Sequence, residues 1–588
     1  MKNFLKIVAG TFVGSLLAMV LGIFILMGII GSLATFSESK PPVVPSSAVL
    51  ALNFSSAITE QSVEDPFAAL NPMSSGSSKS TGILDIVQTI DKAAADPAIK
   101  FIYMNLNELN AGTTHVEEIR DALARFRESG KPVIAYADNY SQGAYYLASV
   151  SDKVYLNPAG TATLTGLSMN TLFFKDLLDK LGVEVQLIRH GKFKAAAEQF
   201  ISNKMSDENR EQLQAYLDAV WGTWTSEISA SRNIPQESIN DFANKLSLGT
   251  AKQAVESGLV DGLLYKDQLT DTLVHLFGVE KEKDLKLISS SDYSKATRKL
   301  NLKEKNKVAV IYANGDIIMG KSDDNIASDD FVALLSKVRA DSTVKAVVLR
   351  VNSPGGSAQS SEIIERELAL LRDKKPVVVS MGDYAASGGY WIASNADKII
   401  TNNTTLTGSI GVFSMVINAQ KTLNKHLSVN TAAVNTNKHS DIMSGFRSLD
   451  NEEVEFIRQS VEIIYTDFVN LVSKGRSLSA EKVDSVGQGR IWSGSDAISL
   501  GLADERGGIV SAINSAAAMS NLESYRIIEY PVIKTQLDKI METLSDAGVS
   551  AKVAANPEML FERAYSSLKN EAGVKNYARI PFNVEIVK

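Results

Sequence analysis

The sequence contains no cysteine and very little histidine. Among its 588 residues there are five histidines. The absence of cysteine excludes disulfides, thiol nucleophiles and cysteine-ligated zinc or iron–sulfur sites. The scarcity of histidine leaves little material for a histidine-based metal site or proton relay. We therefore expect no metal centre.

An excess of basic charge is also missing. The chain has 60 lysines and arginines against 67 acidic residues, a net charge of −7. This acidic balance argues against a general nucleic-acid binder. Apolar residues make up 45% and charged residues 22%, which is typical of a globular protein. The length favours two large domains.

Charged residues are absent from residues 7–36, a run of 30. Crossing the hydrocarbon core takes about 20 residues, and the apolar part of a cleaved signal peptide has only about 7–15. We therefore predict an uncleaved transmembrane anchor within residues 1–40, with a removed signal peptide as the alternative. Lys2 and Lys6 precede the run, which predicts a cytoplasmic N-terminus. In a bacterium, the body would then lie on the periplasmic side of the inner membrane.

The rest of the chain contains an internal repeat with a spacing near 245 residues. Four pairs of matching blocks occur in the same order, beginning at Asp96 and Asp341, Lys131 and Lys375, Thr163 and Thr405, and Ala254 and Ala497. The tetrapeptide match is complete, since TLTG stands at both 163–166 and 405–408. The pattern predicts duplicated domains at 46–280 and 300–525, followed by an extension at 526–588.

Each repeat alternates short β-branched runs with helical patterns. In the second repeat, strands are predicted at 347–351, 377–380 and 398–401, with a helix at 362–371 between the first two. Continuous apolar strands separated by helices are typical of parallel β–α–β units. The fold class predicted from the sequence is therefore tandem α/β.

The two repeats differ in chemistry at three matched positions. Ser387, in AASGGYW, aligns with Gln142, and Ser409, in TLTGSIG, aligns with Leu167. Conversely, Lys194 of the first repeat aligns with Ser440 of the second. One copy keeps serines and the other keeps a lysine, which is the pattern expected of a catalytic centre divided between duplicates.

A serine hydroxyl needs a base to become a nucleophile. Lys194 is the candidate base, provided that burial or nearby cations lower the pKa of its amine. Ser409 would orient that amine. Ser387 precedes a predicted helix, so the Gly388 N–H and one N–H from Gly355 or Gly356 would form an oxyanion hole.

Each of these signals is weak alone, because isolated lysines are usually solvated and Gly-rich segments are usually only turns. The combination across the repeat strengthens them. His190 and His439 are alternative general bases, although no suitably placed carboxylate partner is apparent in the sequence.

The motifs RVNSPGGS, SMGDYAASGGYW, TLTGSIGVF and GKFKAAAEQF together resemble the signal peptide peptidase A (protease IV) family in its long, duplicated form. The resemblance implies a crotonase-like fold related to the Clp protease. It also implies a cofactor-free peptidase with Ser387 as nucleophile, Lys194 as general base and Ser409 as the hydrogen-bond partner of the lysine.

The same resemblance implies a homotetramer whose bowl opens toward the membrane, and substrates that are signal peptides already released from their preproteins. One departure concerns Asp383–Tyr384, where small residues are expected before Ala385.

Two other functions remain alternatives. A crotonase-like fold also suits an acyl-CoA enzyme, which would require an acidic pair near the oxyanion glycines and a cytoplasmic location. A non-enzymatic membrane scaffold would retain its function without Ser387 and Lys194.

Overall fold

The computed structural model describes residues 42–64, 79–298, 303–533 and 576–579, with four residues near the start of the chain (10, 11, 14 and 15). Within these ranges, no helix has both the length and the apolar character needed to cross a membrane. The predicted anchor within residues 1–40 lies outside the described residues, apart from those four.

The first unit is built on a six-stranded parallel sheet. Its strands, in spatial order, are Leu287–Ser289, Ala48–Asn53, Ile99–Asn105, Val133–Ala137, Lys153–Leu156 and Gly262–Leu263. Every residue of Val133–Ala137 is buried, as expected for a strand covered on both faces.

Helices cover this first sheet and connect its strands. They are Ile83–Ala95, Thr113–Glu128, Gln142–Ala148, Lys175–Leu181, Glu198–Ile201, Asp207–Arg232, Gln236–Lys245, Ala251–Glu256, Lys266–Phe277 and Ser290–Thr297, with a 3₁₀ turn at Glu282–Asp284. A small sheet formed by Ile58–Thr59, Lys79–Gly82 and Val63–Glu64 lies beside them.

The second unit repeats this design around a larger, mostly parallel sheet. Its strands are Ile491–Ser493, Leu406–Gly408, Val377–Ala386, Val344–Ser353, Lys307–Asn314 and Arg526–Tyr530 in order, with Lys398–Thr401 and Glu505–Arg506 attached at the side. Its helices are Ser328–Ala340, Ala358–Arg372, Gly388–Ala393, Asn451–Arg476, Ala480–Val486, Gly494–Ser499 and Ile509–Met519, with a π-helical turn at Thr422–His426. The tandem α/β prediction is confirmed.

Matching hydrogen bonds support the alignment of the repeats. The Lys131 amine donates to the carbonyls of Ala93 and Asp96. The Lys375 amine donates to the carbonyls at the corresponding positions, Val338 and Asp341. Aligned lysines thus tie the same turn to the same strand in both units, as expected of duplicates.

Both units extend beyond the predicted boundaries. Leu287–Ser289 pairs with the first strand of the first sheet, so this unit does not end at residue 280. Arg526–Tyr530 pairs with Lys307–Asn314, so the second unit continues past 525 into the predicted extension. Short edge strands lack the long apolar pattern of central strands, which is why the sequence pattern missed them.

A third sheet contains strands from both units. Its order is Ile326–Ala327, Ile317–Ile318, Gly355–Ser357, Asn576–Arg579, Phe413–Asn418 and Glu184–Arg189. The last of these strands belongs to the first repeat and pairs antiparallel with Phe413–Asn418 of the second. This pairing joins the two units at the place where their divergent residues lie.

Candidate active site

Lys194, Ser387 and Ser409 meet in the interior of a single chain. The Lys194 Nζ lies 2.6 Å from Ser387 Oγ, 3.0 Å from Ser409 Oγ and 3.1 Å from the Ser409 carbonyl oxygen. All three residues are fully buried. The structure therefore brings together the lysine of one repeat and the two serines of the other.

The path of Lys194 into the second unit follows from strand pairing. Glu184–Arg189 runs along Phe413–Asn418 over six residue pairs, and the His190 N–H continues the contact by donating to the Val412 carbonyl, 3.0 Å away. The Arg189 side chain then donates to the Lys194 carbonyl at 2.7 Å. The strand pairing before Lys194 and the hydrogen bond to its carbonyl together fix the position of its backbone.

Gly489 makes room for the lysine. A Cβ atom at this position would lie 2.5 Å from Lys194 Cβ and 2.6 Å from its Cα, and the backbone has φ = +82°. Next to it, the Gln488 carbonyl accepts the Phe193 N–H at 3.1 Å. The turn around Gly489 therefore packs directly on the backbone that presents the amine.

Burial sets the protonation of the amine. Desolvation lowers the pKa of Lys194 well below its ordinary value, because the charged form loses its hydration. The cations near it in the sequence are not required for this shift. A neutral amine can accept a proton from the hydroxyl that it contacts.

Ser387 stands at a sharp junction between the strand Val377–Ala386 and the helix Gly388–Ala393. Its backbone has φ = 58° and ψ = −116°, a conformation that non-glycine residues rarely adopt. The Ser387 N–H donates to the Gly408 carbonyl at 2.8 Å. Ser409 also has a positive φ, 50°, and donates its N–H to the Arg490 carbonyl. Such strain is typical of functional sites, where surrounding structure fixes it.

The glycine loop lies against the start of the Ser387 helix. Gly355 and Gly356 have φ values of 102° and 158°. A Cβ on Gly356 would come within 2.0 Å of the Ile317 carbonyl, and one on Gly389 within 2.6 Å of the Ser353 carbonyl. These glycines allow two backbone segments to approach closely beside Ser387. The Gly355 N–H itself donates to Ser353 Oγ at 3.1 Å.

The alternative histidines bond to other partners. His190 Nδ1 bonds to Glu462 at 2.7 Å and the ring stacks on Tyr465, while His439 bonds to Glu453. Within the described part of the chain, neither histidine has a hydrogen bond to Ser387.

Across the residues that the structure describes, one group of side chains has the spacing of a metal site: His439, Asp450 and Glu453. Asp450 and Glu453 form the capping box of the helix Asn451–Arg476, and Glu453 also accepts from Arg447. These oxygens are thus accounted for by protein donors.

At the corresponding place in the first repeat, an amide replaces the serine. Gln142 Oε1 accepts the N–H groups of Thr165 and Gly166 at 2.7 and 2.9 Å, and Nε2 donates to the Gly166 carbonyl. The side chain thereby bonds to the TLTG segment instead of presenting a free hydroxyl. The first repeat thus has a hydrogen-bonded amide where the second has the Ser387 hydroxyl.

Asp383, which departs from the expected small residue, connects the two units. Its carboxylate accepts two hydrogen bonds of 2.9 Å from Thr114, one from the backbone N–H and one from the side-chain hydroxyl. Thr114 lies at the start of the helix Thr113–Glu128. A carboxylate at a helix N-terminus is stabilised by the unpaired N–H groups and the helix dipole. A Cβ on Gly112 would collide with it, at 1.6 Å from Oδ2. Asp383 thus connects the strand Val377–Ala386 to the first repeat.

Arg350 is a second contact between the units that sequence reasoning missed. It is fully buried, with Nε 2.7 Å from a Glu60 oxygen and Nη1 2.8 Å from a Glu118 oxygen. Glu60 also lies 3.0 Å from His115 Nε2. In the sequence, this contact is indicated only by the arginine inside the apolar strand VVLRV. A buried arginine requires buried acidic partners.

Comparisons with known proteins find one family match in each repeat. The profile of Peptidase family S49 matches the chain twice, at residues 125–280 and 369–523. Protease 4 of Haemophilus influenzae is 40% identical over 74% of this chain and 73% of its own length. Protease 4 of Salmonella typhi is 38% identical over 79% and 76%, respectively.

A chloroplastic relative is similar over a comparable length. Serine protease SPPA of Arabidopsis thaliana is 32% identical over 78% of this chain and 69% of its own. Among solved structures, a mutant of ClpP1 from Listeria monocytogenes matches 35% of this chain and 94% of its own, with 15% identity and a TM-score of 0.24, too low to bear on the fold. With two family matches and such extensive identity, the chain belongs to peptidase family S49 and is a serine peptidase.

Proposed function

We propose that this serine peptidase is a membrane-anchored endopeptidase with a Ser–Lys dyad, in which Ser387 is the nucleophile and Lys194 the general base. The observation that carries the proposal is the 2.6 Å contact between a fully buried amine and the Ser387 hydroxyl. Ser409, also bonded to the amine, orients its lone pair toward Ser387.

The reaction proceeds in two halves. Ser387 Oγ attacks the scissile carbonyl as its proton passes to Lys194 Nζ, and the resulting oxyanion accepts the Gly388 N–H and an N–H of the Gly355–Gly356 loop. The protonated amine then gives its proton to the leaving nitrogen as the C–N bond breaks. Water, deprotonated by the same amine, hydrolyses the ester and releases Ser387.

The substrates proposed are signal peptides that have been released into the membrane. The uncharged residues 7–36 would anchor the enzyme where such apolar peptides collect. The body would face the periplasm of a bacterial cell, because Lys2 and Lys6 precede the anchor. Acyl-CoA chemistry and a purely scaffolding role are the outcomes to be excluded.

The decisive experiment measures cleavage of a synthetic signal peptide across pH. We expect Ser387→Ala and Lys194→Ala each to lower kcat by at least about a thousandfold, as loss of a nucleophile or its base does. Lys192→Ala is the matched control, since this neighbouring lysine is exposed. The wild-type rate should fall on the acidic side as Lys194 becomes protonated. Near-normal cleavage by Lys194→Ala would refute the dyad.

Homotetramer formation is also part of the proposal. The alignment of the two repeats suggests which segments of neighbouring chains are in contact. By the alignment of Lys194 with Ser440, residues 430–435 correspond to the strand Glu184–Arg189. They are exposed and have no strand partner among the described residues, and Val434 is fully exposed. The counterpart of Phe413–Asn418 in the first repeat, residues 171–176, also lies outside the described strands, and its last two residues begin the helix Lys175–Leu181. Pairing residues 430–435 with residues 171–174 of a neighbouring chain would repeat part of the intrachain contact head to tail and close a ring.

Light scattering on the purified protein tests this contact. We expect Val434→Pro to yield monomers, because proline cannot take a central place in a strand ladder, whereas Val434→Thr should keep the tetramer. If the proline variant still has the mass of a tetramer in light scattering, this interface is excluded.

A further inference from the structure

A buried glutamine side chain joins the two units beside the Lys194 cluster. Gln212 lies in the helix Asp207–Arg232 and is 1% exposed. Its Nε2 donates to the Phe193 carbonyl at 3.0 Å, and its Oε1 accepts the Ile491 N–H at 3.1 Å. An amide suits both partners, because it carries donors and an acceptor in one planar group. The side chain thus bonds to the backbone of the first unit and to that of the second.

The two backbone groups that Gln212 contacts belong to the segments that present the amine and hold its partner. The carbonyl is that of the residue directly before Lys194. The N–H is that of the residue directly after Arg490, whose carbonyl accepts the Ser409 N–H at 2.7 Å. Gln212 therefore connects the segment that carries the amine to the segment that fixes Ser409.

A buried chain of polar groups sets the orientation of the Gln212 amide. Glu198 accepts Asn209 Nδ2 at 2.7 Å through one oxygen and the Ser206 N–H at 2.9 Å through the other. Because a carboxylate only accepts, Asn209 turns its NH₂ group toward it. The Asn209 oxygen then accepts Gln212 Nε2 at 3.0 Å. This contact leaves the Gln212 oxygen facing the Ile491 N–H.

The second repeat has a different residue at this position. The helix Asp207–Arg232 corresponds to Asn451–Arg476, which also has 26 residues. Gln212 is the sixth residue of the first helix, and the sixth residue of the other is Phe456, which is 66% exposed. The buried amide is thus found in the repeat that supplies Lys194.

We propose that Gln212 is a positioning residue for the general base: by bonding to both segments, it keeps the Lys194 amine in contact with the hydroxyls of Ser387 and Ser409. The inference rests on the proposed function, since it assumes that the amine takes the proton of Ser387. If the segments moved apart, the contacts of 2.6 and 3.0 Å between the amine and these hydroxyls would lengthen. A displacement of about 1 Å lowers a rate by as much as about a hundredfold.

The test measures cleavage of a synthetic signal peptide by the full-length protein with Gln212→Met, which keeps the side-chain length but removes the donor and the acceptor. We expect kcat to fall about tenfold to a hundredfold and KM to stay within about twofold, because the base moves while the substrate contacts remain. Gln214→Met is the matched control, since this glutamine of the same helix is exposed and bonds to Asp218. It should match the wild type, and unchanged kcat in Gln212→Met would overturn the proposal.

The pH profile separates positioning from a general loss of structure. Without the Gln212 bonds, water would reach the buried amine and raise its lowered pKa toward the ordinary value. The acidic limb of kcat should therefore move to higher pH, by about one unit. Thr225→Val removes a buried hydroxyl of the same helix, bonded to Trp221 and Gln236, and should destabilise the protein without moving the limb. A Gln212→Met profile that only falls in height would show a structural role and overturn the proposal.

Glu198→Gln is a second variant, which tests the same inference if Gln212→Met does not fold. The new NH₂ group lets the Asn209 amide reverse, so the orientation of Gln212 is no longer fixed. We expect kcat to fall about threefold or more, with the same movement of the acidic limb. Wild-type kcat together with an unmoved limb would overturn the proposal.

A double variant distinguishes this inference from the dyad itself. In a Lys194→Ala background, Gln212→Met should have no further effect on the residual cleavage, because no amine is left to position. Equal fold losses in both backgrounds would refute positioning. Near-normal cleavage by Lys194→Ala alone would refute the dyad, whereas an inactive Lys194→Ala beside a fully active Gln212→Met would refute only the role of Gln212.

Discussion

At the scale of single residues, Ser387 combines its hydroxyl with an unfavourable backbone conformation. Its φ of 58° and ψ of −116° cost about 1–3 kcal/mol for a residue with a side chain. The cost persists because the strand before it and the helix after it fix the junction. In this conformation the hydroxyl lies 2.6 Å from the Lys194 amine.

This strain predicts a difference in stability between two variants of Ser387. Ser387→Gly should have a higher free energy of unfolding than Ser387→Ala, by about 1 kcal/mol, because glycine adopts positive φ without a steric penalty. Denaturant titrations of both variants measure the difference. A glycine variant less stable than the alanine variant would indicate that the junction is not strained.

Lys194 also lowers the stability of the folded protein. Its amine is buried and its pKa is lowered, so at neutral pH folding opposes the protonation that the unfolded chain would retain. Lys194→Met keeps the length of the side chain without this cost. We expect the variant to be inactive and more stable by about 1 kcal/mol at pH 7.

The pH dependence of the stability gained by Lys194→Met tests whether the buried amine is its cause. Between the folded-state pKa and the unfolded value of 10.5, the unfolded state binds more protons, so wild-type stability rises with pH. The advantage of Lys194→Met should therefore shrink as the pH is raised toward about 10. A constant advantage would point to better packing instead.

At the scale of structural elements, we expect the turn containing Gly489 to be as necessary for activity as Lys194 and Ser387 themselves. Gly489→Ala would drive a methyl group to within 2.6 Å of the Lys194 backbone. We expect a loss of kcat of at least about a hundredfold although the side chains of Lys194 and Ser387 are intact, since a displacement of about 1 Å has effects of that size.

Gly130 provides the control for this variant. It has nearly the same backbone angle, φ = +81°, but a Cβ there would meet no atom within 4 Å. Gly130→Ala should thus lose stability by about 1 kcal/mol and keep full activity. Equal kcat values in the two variants would show that the collision with Lys194 is unimportant.

At the scale of the whole molecule, buried charges hold the two units together. Glu117, in the first repeat, accepts the N–H groups of Asn403 and Thr404 in the second and pairs with Arg506. Burial raises the pKa of Glu117 to about 7, against the attraction of Arg506. The contact between the units therefore titrates close to neutral pH.

The raised pKa makes stability depend on pH in a defined direction. Between about 4.5 and 7 the folded state binds more protons than the unfolded state, so the free energy of unfolding falls as the pH rises. Glu117→Gln removes this titration. Between about pH 5 and 7 we expect the wild type to lose about 2 kcal/mol more than the variant in urea unfolding. Parallel curves would exclude Glu117 as the titrating group.

The sequence by itself determined the duplication, the tandem α/β class and the choice of Ser387, Ser409 and Lys194 as candidates. These followed from apolar periodicity and from matched positions that had diverged, both of which can be compared along the chain. The helix predicted at 362–371 lies within Ala358–Arg372 for the same reason, since its pattern is local.

Only the tertiary structure decided that Lys194 and Ser387 meet within one chain. Ser387 and Lys194 are 193 residues apart. Their contact depends on the pairing of Glu184–Arg189 with Phe413–Asn418 and on the absence of a side chain at Gly489, next to Lys194. The docking role of Asp383 and the insertion of Asn576–Arg579 also depend on distant partners. An edge strand can pair with any exposed strand edge in the folded molecule. Which edge it pairs with therefore depends on the whole fold, and a local sequence pattern does not predict it.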